Sequence, residues 1–138
     1  MFLGRYTQQL DDKKRLAIPA RYRDQFDSPA FLTASPDGCI AVYTKDGYEK
    51  AAEEVLAESG KTRPGRDSRR DFFTDTRDIK PDPQGRLTLP AFLLDHAGLS
   101  KEVVVAGVGE WFEYWDAARW AARNQPPAEN ETPTETGG

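Results

Sequence analysis

Two short segments of this sequence carry an aspartate and an arginine four residues apart, a spacing that could serve anion or base recognition. Asp11 precedes Arg15 in the first segment, and Asp82 precedes Arg86 in the second. A carboxylate at this spacing can hold the guanidinium in a fixed pose, which suits bidentate contact with phosphate or with O6 and N7 of guanine. A structural clamp that only closes a turn would use the same spacing, so the motif by itself leaves both roles open.

The two turns differ in the residues between the aspartate and the arginine. The first contains Lys13 and Lys14, whose charges would attract a phosphate backbone. The second contains Pro83, Gln84 and Gly85, which bring no charge. We therefore expect unequal halves, in which the first turn makes most of the phosphate contacts. If the position shared by Lys14 and Gly85 needs a positive φ, a lysine there costs on the order of 1 kcal/mol.

Charge is spread unevenly along the 138 residues, although the formal net charge is only −4. Residues 11–23 carry five cations against two anions, and residues 61–77 carry six against three. Residues 110–138 carry six anions against two cations, so the acidity is concentrated near the C-terminal end. Two basic regions are left for nucleic acid. The first is the stronger candidate, because a charged loop such as 61–77 is normally only solvated.

Other chemistry has little support in the sequence. There is one histidine, His96, and one cysteine, Cys39, and neither belongs to a motif for nucleophilic catalysis or metal binding. The paired carboxylates Asp11 and Asp12 sit beside three cations. We therefore expect a protein that is not an enzyme and has no metal and no cofactor. The absence of a long apolar run or a signal-peptide pattern predicts a cytoplasmic protein with no membrane partner.

An internal repeat must position the two turns. Residues 11–20, DDKKRLAIPA, return 71 residues later as residues 82–91, DPQGRLTLPA. Tyr43 and Tyr48 also return, as two tryptophans at an offset of 72. Each copy has only about 60–70 residues, which is marginal for an independent core. We expect two pseudo-symmetric halves that share one core, in an α+β fold built on a duplicated small β-barrel with short flanking helices.

Both copies show the same predicted order of elements. An extended segment, around residues 2–9 and 72–80, leads into the turn, and a short strand follows it. Proline then opens a short helix, and a hairpin and a second helix complete the copy. The predicted organisation is a first repeat over 1–60, a basic linker over 61–71, a second repeat over 72–123 and a disordered acidic tail over 124–138.

Several strings in the chain resemble the MraZ family. They are MFLG at residues 1–4, LDDKKRLAIPA at 10–20, DPQGRLTLP at 82–90 and VAGVG at 105–109. The resemblance extends in order over roughly residues 1–123. Each half is also similar to the AbrB-like swapped-hairpin DNA-binding fold. One departure concerns the first turn, where Lys14 stands at a position that is usually glycine in the family.

The resemblance implies a sequence-specific transcriptional regulator, usually a repressor of its own division and cell-wall gene cluster. It implies binding to double-stranded DNA at G-rich direct repeats near the promoter, by a homo-oligomer closed into a ring. It also implies a nucleoid-associated protein.

The DNA-reading turns of the family correspond to two segments of this chain. They fall on Asp11 and Arg15, with Lys13 and Lys14 between them, and again on Asp82 and Arg86. An antitoxin-like or other protein-interaction module on the same fold is the alternative. It is disfavoured because the tail lacks the aromatic and aliphatic anchors that wrapping a partner requires.

Overall fold

A computed structural model describes residues 1–27 and 29–123, so the expected disordered tail over 124–138 lies outside the described residues. The described part is a mixed α+β structure, as expected. Its strands are Arg5–Gln9 (β1), Arg15–Ala17 (β2), Ala30–Ala34 (β3), Ile40–Tyr43 (β4), Thr76–Ile79 (β5), Arg86–Thr88 (β6), Glu102–Gly107 (β7) and Phe112–Asp116 (β8). Its α-helices are Lys45–Ala57 (α1), Arg63–Thr74 (α2), Ala91–Ala97 (α3) and Ala117–Arg123 (α4), and Ala20–Gln25 forms a 3₁₀ helix.

Six strands form one antiparallel sheet in the order β1-β7-β8-β4-β3-β5, and β2 pairs with β6 in a separate two-stranded ribbon. If each strand is exchanged for its counterpart in the other repeat, the same strand order is obtained, read from the opposite edge of the sheet. A pseudo-two-fold axis therefore passes between β4 and β8. The repeats also exchange strands, because β1 pairs with β7 of the second repeat and β5 pairs with β3 of the first. Neither half can therefore complete its part of the sheet alone.

The expected small barrel is not seen as a closed ring of strands in the described part of the chain. The large sheet has two edges, β1 and β5, and the ribbon does not join them. Each ribbon strand is only three residues long, because a tight turn precedes it and a proline follows it closely, at Pro19 and Pro90. Proline offers no N–H for a longer strand ladder.

The shared core lies between the ribbon and the large sheet. Leu16 and Leu87 face each other across the ribbon and are essentially inaccessible to solvent. Around them lie apolar side chains from both repeats, which include Ile18, Tyr22, Leu32, Val42, Leu89, Leu93, Val103, Val105, Phe112 and Tyr114. Burying this surface from both halves at once is what couples their folding.

The basic segment between the repeats, expected as a linker over 61–71, is largely helical. α2 begins after Thr62, whose Oγ1 accepts a hydrogen bond from Gly65 N at 3.1 Å, and Pro64 lies in its first turn. Threonine as N-cap and an early proline favour a helix start. The helix continues to Thr74, so the expected extended segment begins at Thr76 rather than at Phe72.

Other predicted elements agree with the structure. The hairpin predicted for each copy forms, as β3–β4 in the first and β7–β8 in the second, and Gly98 ends α3 in the left-handed conformation, with φ 61°. The repeated aromatic pairs adopt nearly the same geometry. Tyr43 and Tyr48 have ring centroids 5.9 Å apart at 72°, and Trp115 and Trp120 are 5.6 Å apart at 70°. No helix in the described residues is both long enough and apolar enough to cross a membrane.

Candidate nucleic-acid interface

In the first turn, Asp11 receives three hydrogen bonds from the residues that follow it. Its Oδ1 accepts from the backbone N–H groups of Lys13 and Arg15, both at 2.9 Å. Its Oδ2 accepts from Nε of Arg15 at 2.7 Å. The backbone closes the same turn, since Lys14 N donates to Asp11 O at 3.0 Å and Asp11 N donates to Arg15 O at 3.2 Å. The aspartate therefore shapes the turn and holds the arginine.

The second turn repeats this arrangement bond for bond. Asp82 Oδ1 accepts from Gln84 N and Arg86 N, both at 2.9 Å, and Oδ2 accepts from Arg86 Nε at 2.8 Å. Gly85 N donates to Asp82 O at 2.8 Å. The clamp suggested by the spacing is thus present twice. It fixes each arginine through Nε alone.

Both clamping carboxyls are stabilised in their charged form. For Asp11, burial acts to raise the pKa, but the hydrogen bonds from Arg15 and Lys13 outweigh it and lower the pKa below its ordinary value of 3.8. For Asp82, the backbone N–H of Arg86 is the largest influence and lowers the pKa, with further help from the Arg86 side chain and Gln84 N. A charged aspartate keeps its hold on the guanidinium at neutral pH.

The β2–β6 ribbon brings the two arginines to one face. In its register Arg15 lies opposite Thr88, and Ala17 lies opposite Arg86. Side chains alternate along a strand, so these four residues share the face opposite to Leu16 and Leu87. With the leucines buried, the arginine face points away from the core. Two clamped arginines from different repeats therefore lie diagonally across one short ribbon.

Each clamped arginine retains hydrogen-bonding capacity toward solvent. Among the residues that the structure describes, the Nη atoms of Arg15 and Arg86 make no hydrogen bond, while Nε of each is engaged. Their side chains are 23% and 33% exposed. A guanidinium held at one edge and open at the other is prepared for a bidentate contact with an anion or a guanine edge.

The position before each arginine does require a positive φ. Lys14 has φ 63° and Gly85 has φ 78°. Lys14 is the one residue other than glycine with positive φ in the described part of the chain, so the first turn carries a strain that the second avoids.

A third arginine, Arg23, lies against the second turn. It is exposed and belongs to the 3₁₀ helix of the first repeat, and its Nε donates to Ile18 O at 2.9 Å. The N–H of Ile18 in turn donates to Gly85 O at 2.8 Å. A Cβ on Gly85 would lie only 2.6 Å from Arg23 Nε. The second turn, which is poor in charge along the sequence, thus has a guanidinium beside it in space.

A sequence profile of one protein family, described as "MraZ protein, putative antitoxin-like", matches the chain twice, over residues 1–71 and again over 72–137. The chain belongs to the MraZ family. The two matches confirm the resemblance inferred from the sequence strings, and together they span nearly the whole chain.

Relatives named "Transcriptional regulator MraZ" are similar over most of their length. The protein from Thermomicrobium roseum is 42% identical over 123 residues, which cover 89% of this chain and 87% of the relative. The protein from Micrococcus luteus is 39% identical, with 87% and 84% covered, and that from Mycolicibacterium smegmatis is 41% identical, with 94% and 91% covered. The names of these MraZ proteins describe regulators of transcription, which is not a class of enzyme.

Sequence reasoning on this MraZ-family chain missed Arg23. The signal was present, since Arg23 precedes Asp24, and Asp24 matches Asp95 at the repeat offset of 71. Arg23 itself aligns with Leu94, a cation replacing an apolar residue beside a matched position. Only the fold shows that this difference between the repeats lies next to Gly85.

The remaining basic segment is largely occupied by contacts within the chain. Arg69 Nη2 donates to Glu58 O at 3.0 Å, Arg66 Nη1 donates to Lys61 O at 2.9 Å, and Arg70 pairs with Asp67 at 3.0 Å. The Arg69 bond ties α2 to the end of α1, and the other two lie within α2 or between α2 and the loop before it, so the contacts favour a structural role for the segment. Cys39 is buried, and desolvation raises the pKa of its thiol to about 12, so it is present as the unreactive thiol.

Proposed function

We propose that this chain is a sequence-specific regulator of transcription that binds double-stranded DNA through its two Asp-x-x-x-Arg turns. The observation that carries the proposal is the pair of clamped arginines, Arg15 and Arg86, on one exposed face of the ribbon. Membership of the chain in the MraZ family supports the proposed role in regulating transcription, because the relatives are named transcriptional regulators.

Each residue of the turns has a distinct part in the proposed contact. Arg15 and Arg86 read guanine or clamp phosphate with their Nη atoms, while Asp11 and Asp82 hold them in position. Lys13 and Lys14 contact the phosphate backbone. The first turn carries three cations and the second has Arg86 with Arg23 nearby, so the first still makes the larger electrostatic contribution.

The finer features follow the family resemblance and belong to the same proposal. The protein would repress its own division and cell-wall gene cluster, bind G-rich direct repeats as a closed homo-oligomeric ring, and associate with the nucleoid. The exchange of β1 and β5 between repeats supports a relationship to the AbrB-like swapped-hairpin fold. A ring that presents several copies of modest contacts would gain affinity from multivalency when repeat spacing matches subunit spacing.

A fluorescence anisotropy titration tests the proposal. The duplexes are the region upstream of the protein's own operon and a scrambled duplex of equal composition, measured over a series of salt concentrations. We expect tighter binding to the native duplex at every salt concentration. We also expect a linear loss of log affinity with log salt, and Lys13→Ala should reduce that slope by about 0.9 for each engaged subunit.

The titration also distinguishes the rival role. If the assembled protein binds neither duplex at low salt, the regulator proposal fails and the protein-interaction alternative gains. Equal affinity for the native and scrambled duplexes would contradict sequence-specific binding.

A further inference from the structure

Arg23 is held beside the second turn by contacts that cross between the repeats. One residue, Ile18, makes the link, because its carbonyl accepts from Arg23 Nε at 2.9 Å and its N–H donates to Gly85 O at 2.8 Å. Cδ and Cζ of Arg23 would both lie 3.0 Å from a Cβ on Gly85. The guanidinium therefore occupies the space that a side chain at position 85 would enter.

The first turn has the opposite arrangement. Leu89, the counterpart of Ile18, donates its N–H to Lys14 O at 2.9 Å, so both turns have the same cross-repeat backbone hydrogen bond. The residue equivalent to Arg23 is Leu94, which has no charge and lines an open hollow together with Lys14, Leu10 and Ala91. This turn carries its cation on position 14 itself. At the position before the clamped arginine, the first turn thus has a cation on its own side chain, and the second turn has a cation beside it that comes from the other repeat.

We propose that Arg23 is a DNA phosphate-contacting residue of the second turn, in the role that Lys14 has in the first. This inference rests on the proposed DNA-binding function. Within the described residues the Nη atoms of Arg23 make no hydrogen bond, so the guanidinium is anchored by Nε and open toward solvent, as in Arg15 and Arg86. Being exposed on the side of Gly85, it extends the positive surface of the ribbon toward the second half.

A structural role is the competing explanation, because the bond to Ile18 O could by itself account for the position of Arg23. Two variants separate the roles. Arg23→Leu copies the residue that the other repeat carries at the equivalent position, so the fold has a precedent for it. Arg23→Lys keeps the charge but loses the Nε bond. Arg21→Leu is the matched control, since Arg21 is an exposed arginine of the same 3₁₀ helix and its replacement removes the same charge.

The experiment measures the affinity of the full chain for the upstream duplex of its own operon between about 50 and 200 mM salt. We expect Arg23→Leu to reduce the salt slope by about 0.9 for each engaged subunit, so its affinity deficit shrinks by about threefold across that range. Arg23→Lys should keep the wild-type slope, and Arg21→Leu should match the wild type. Adding Gln84→Lys to Arg23→Leu returns a cation to the second turn and should restore the slope.

Three results would overturn the inference. If Arg23→Leu keeps the wild-type slope and affinity, Arg23 makes no contact with DNA. If Arg23→Leu and Arg23→Lys lose affinity equally at an unchanged slope, Arg23 has a structural role only. If Arg21→Leu loses as much slope as Arg23→Leu, the effect is one of general charge. If the wild-type protein fails to bind, the proposed function itself has failed, and the inference fails with it.

Discussion

Lys14 and Gly85 occupy the same left-handed backbone position in two turns that are otherwise identical in their hydrogen bonds, with φ 63° and φ 78°. At position 85 the side chain is absent, and Arg23 from the other repeat covers the site. At position 14 the chain tolerates a conformation that L-residues avoid and thereby places a cation beside Arg15. Strain kept at a site of this kind is typical of residues held there for function rather than for stability.

Replacing Lys14 with glycine should separate stability from binding. We expect Lys14→Gly to raise the free energy of unfolding by up to about 1 kcal/mol, because the left-handed strain is relieved. The same variant should bind DNA more weakly and with a shallower salt slope, because a phosphate contact is lost. Urea denaturation and the anisotropy titration measure the two effects. Loss of stability, or unchanged DNA affinity, would contradict this account.

The two clamped arginines should contribute unequally. We expect Arg15→Ala to weaken binding to the native duplex by about 5-fold to 150-fold, the range for one bidentate contact. Arg86→Ala should cost less, because the first turn has more cations beside its arginine. Both variants are compared at one fixed salt concentration, with thermal unfolding to verify the fold. Equal losses would remove the idea of unequal halves.

Acid should weaken the clamps. Asp11 and Asp82 have a pKa below the ordinary value of 3.8, so the stability they contribute is present above that value and is lost as the pH falls through the lower, folded-state pKa. The double variant Asp11→Asn, Asp82→Asn should therefore be less stable than the wild type near neutral pH. The gap should narrow as the pH falls below about 4 and close only below the folded-state pKa, where the wild-type carboxyls also become neutral.

Urea midpoints measured from pH 7 downward test this expectation. Asp12→Asn is the matched control, because Asp12 lies in the first turn but makes no hydrogen bond to Arg15 within the described residues. A gap between the double variant and the wild type that stays constant down to acid pH would show that charge on the two carboxyls does not stabilise the turns.

A double-mutant cycle tests the position of Arg23. Gly85→Ala should destabilise the protein by on the order of 1 kcal/mol, because alanine disfavours φ 78° and its Cβ meets Arg23. In an Arg23→Ala background the second cause is absent, so the same substitution should cost less, with a coupling of about 0.5 kcal/mol or more. Strictly additive free energies of unfolding would place Arg23 away from Gly85.

The repeat and the pairing of aspartate with arginine in each turn could be predicted from the residues, but the positive φ at position 14 is decided by the structure. These features are local, because an aspartate four residues before an arginine can clamp it without help from the rest of the chain. The same holds for the hairpin predicted in each copy, because its two strands follow one another along the chain.

The relations between distant residues could not be predicted in this way. Strand exchange and the placement of Arg15 and Arg86 on one face depend on the pairing of β2 with β6, which is decided by burying Leu16 against Leu87 from two repeats. The helix over 63–74 was missed because its charged sequence has few apolar side chains to mark a period.

What the sequence alone determined is the chemistry of each turn, since it arises from neighbours along the chain. Only the tertiary structure decided that the turns share a face and that Arg23 supplies a cation to the second. Both outcomes follow from packing two incomplete halves around one core, because the apolar surface buried in that way sets which distant residues meet.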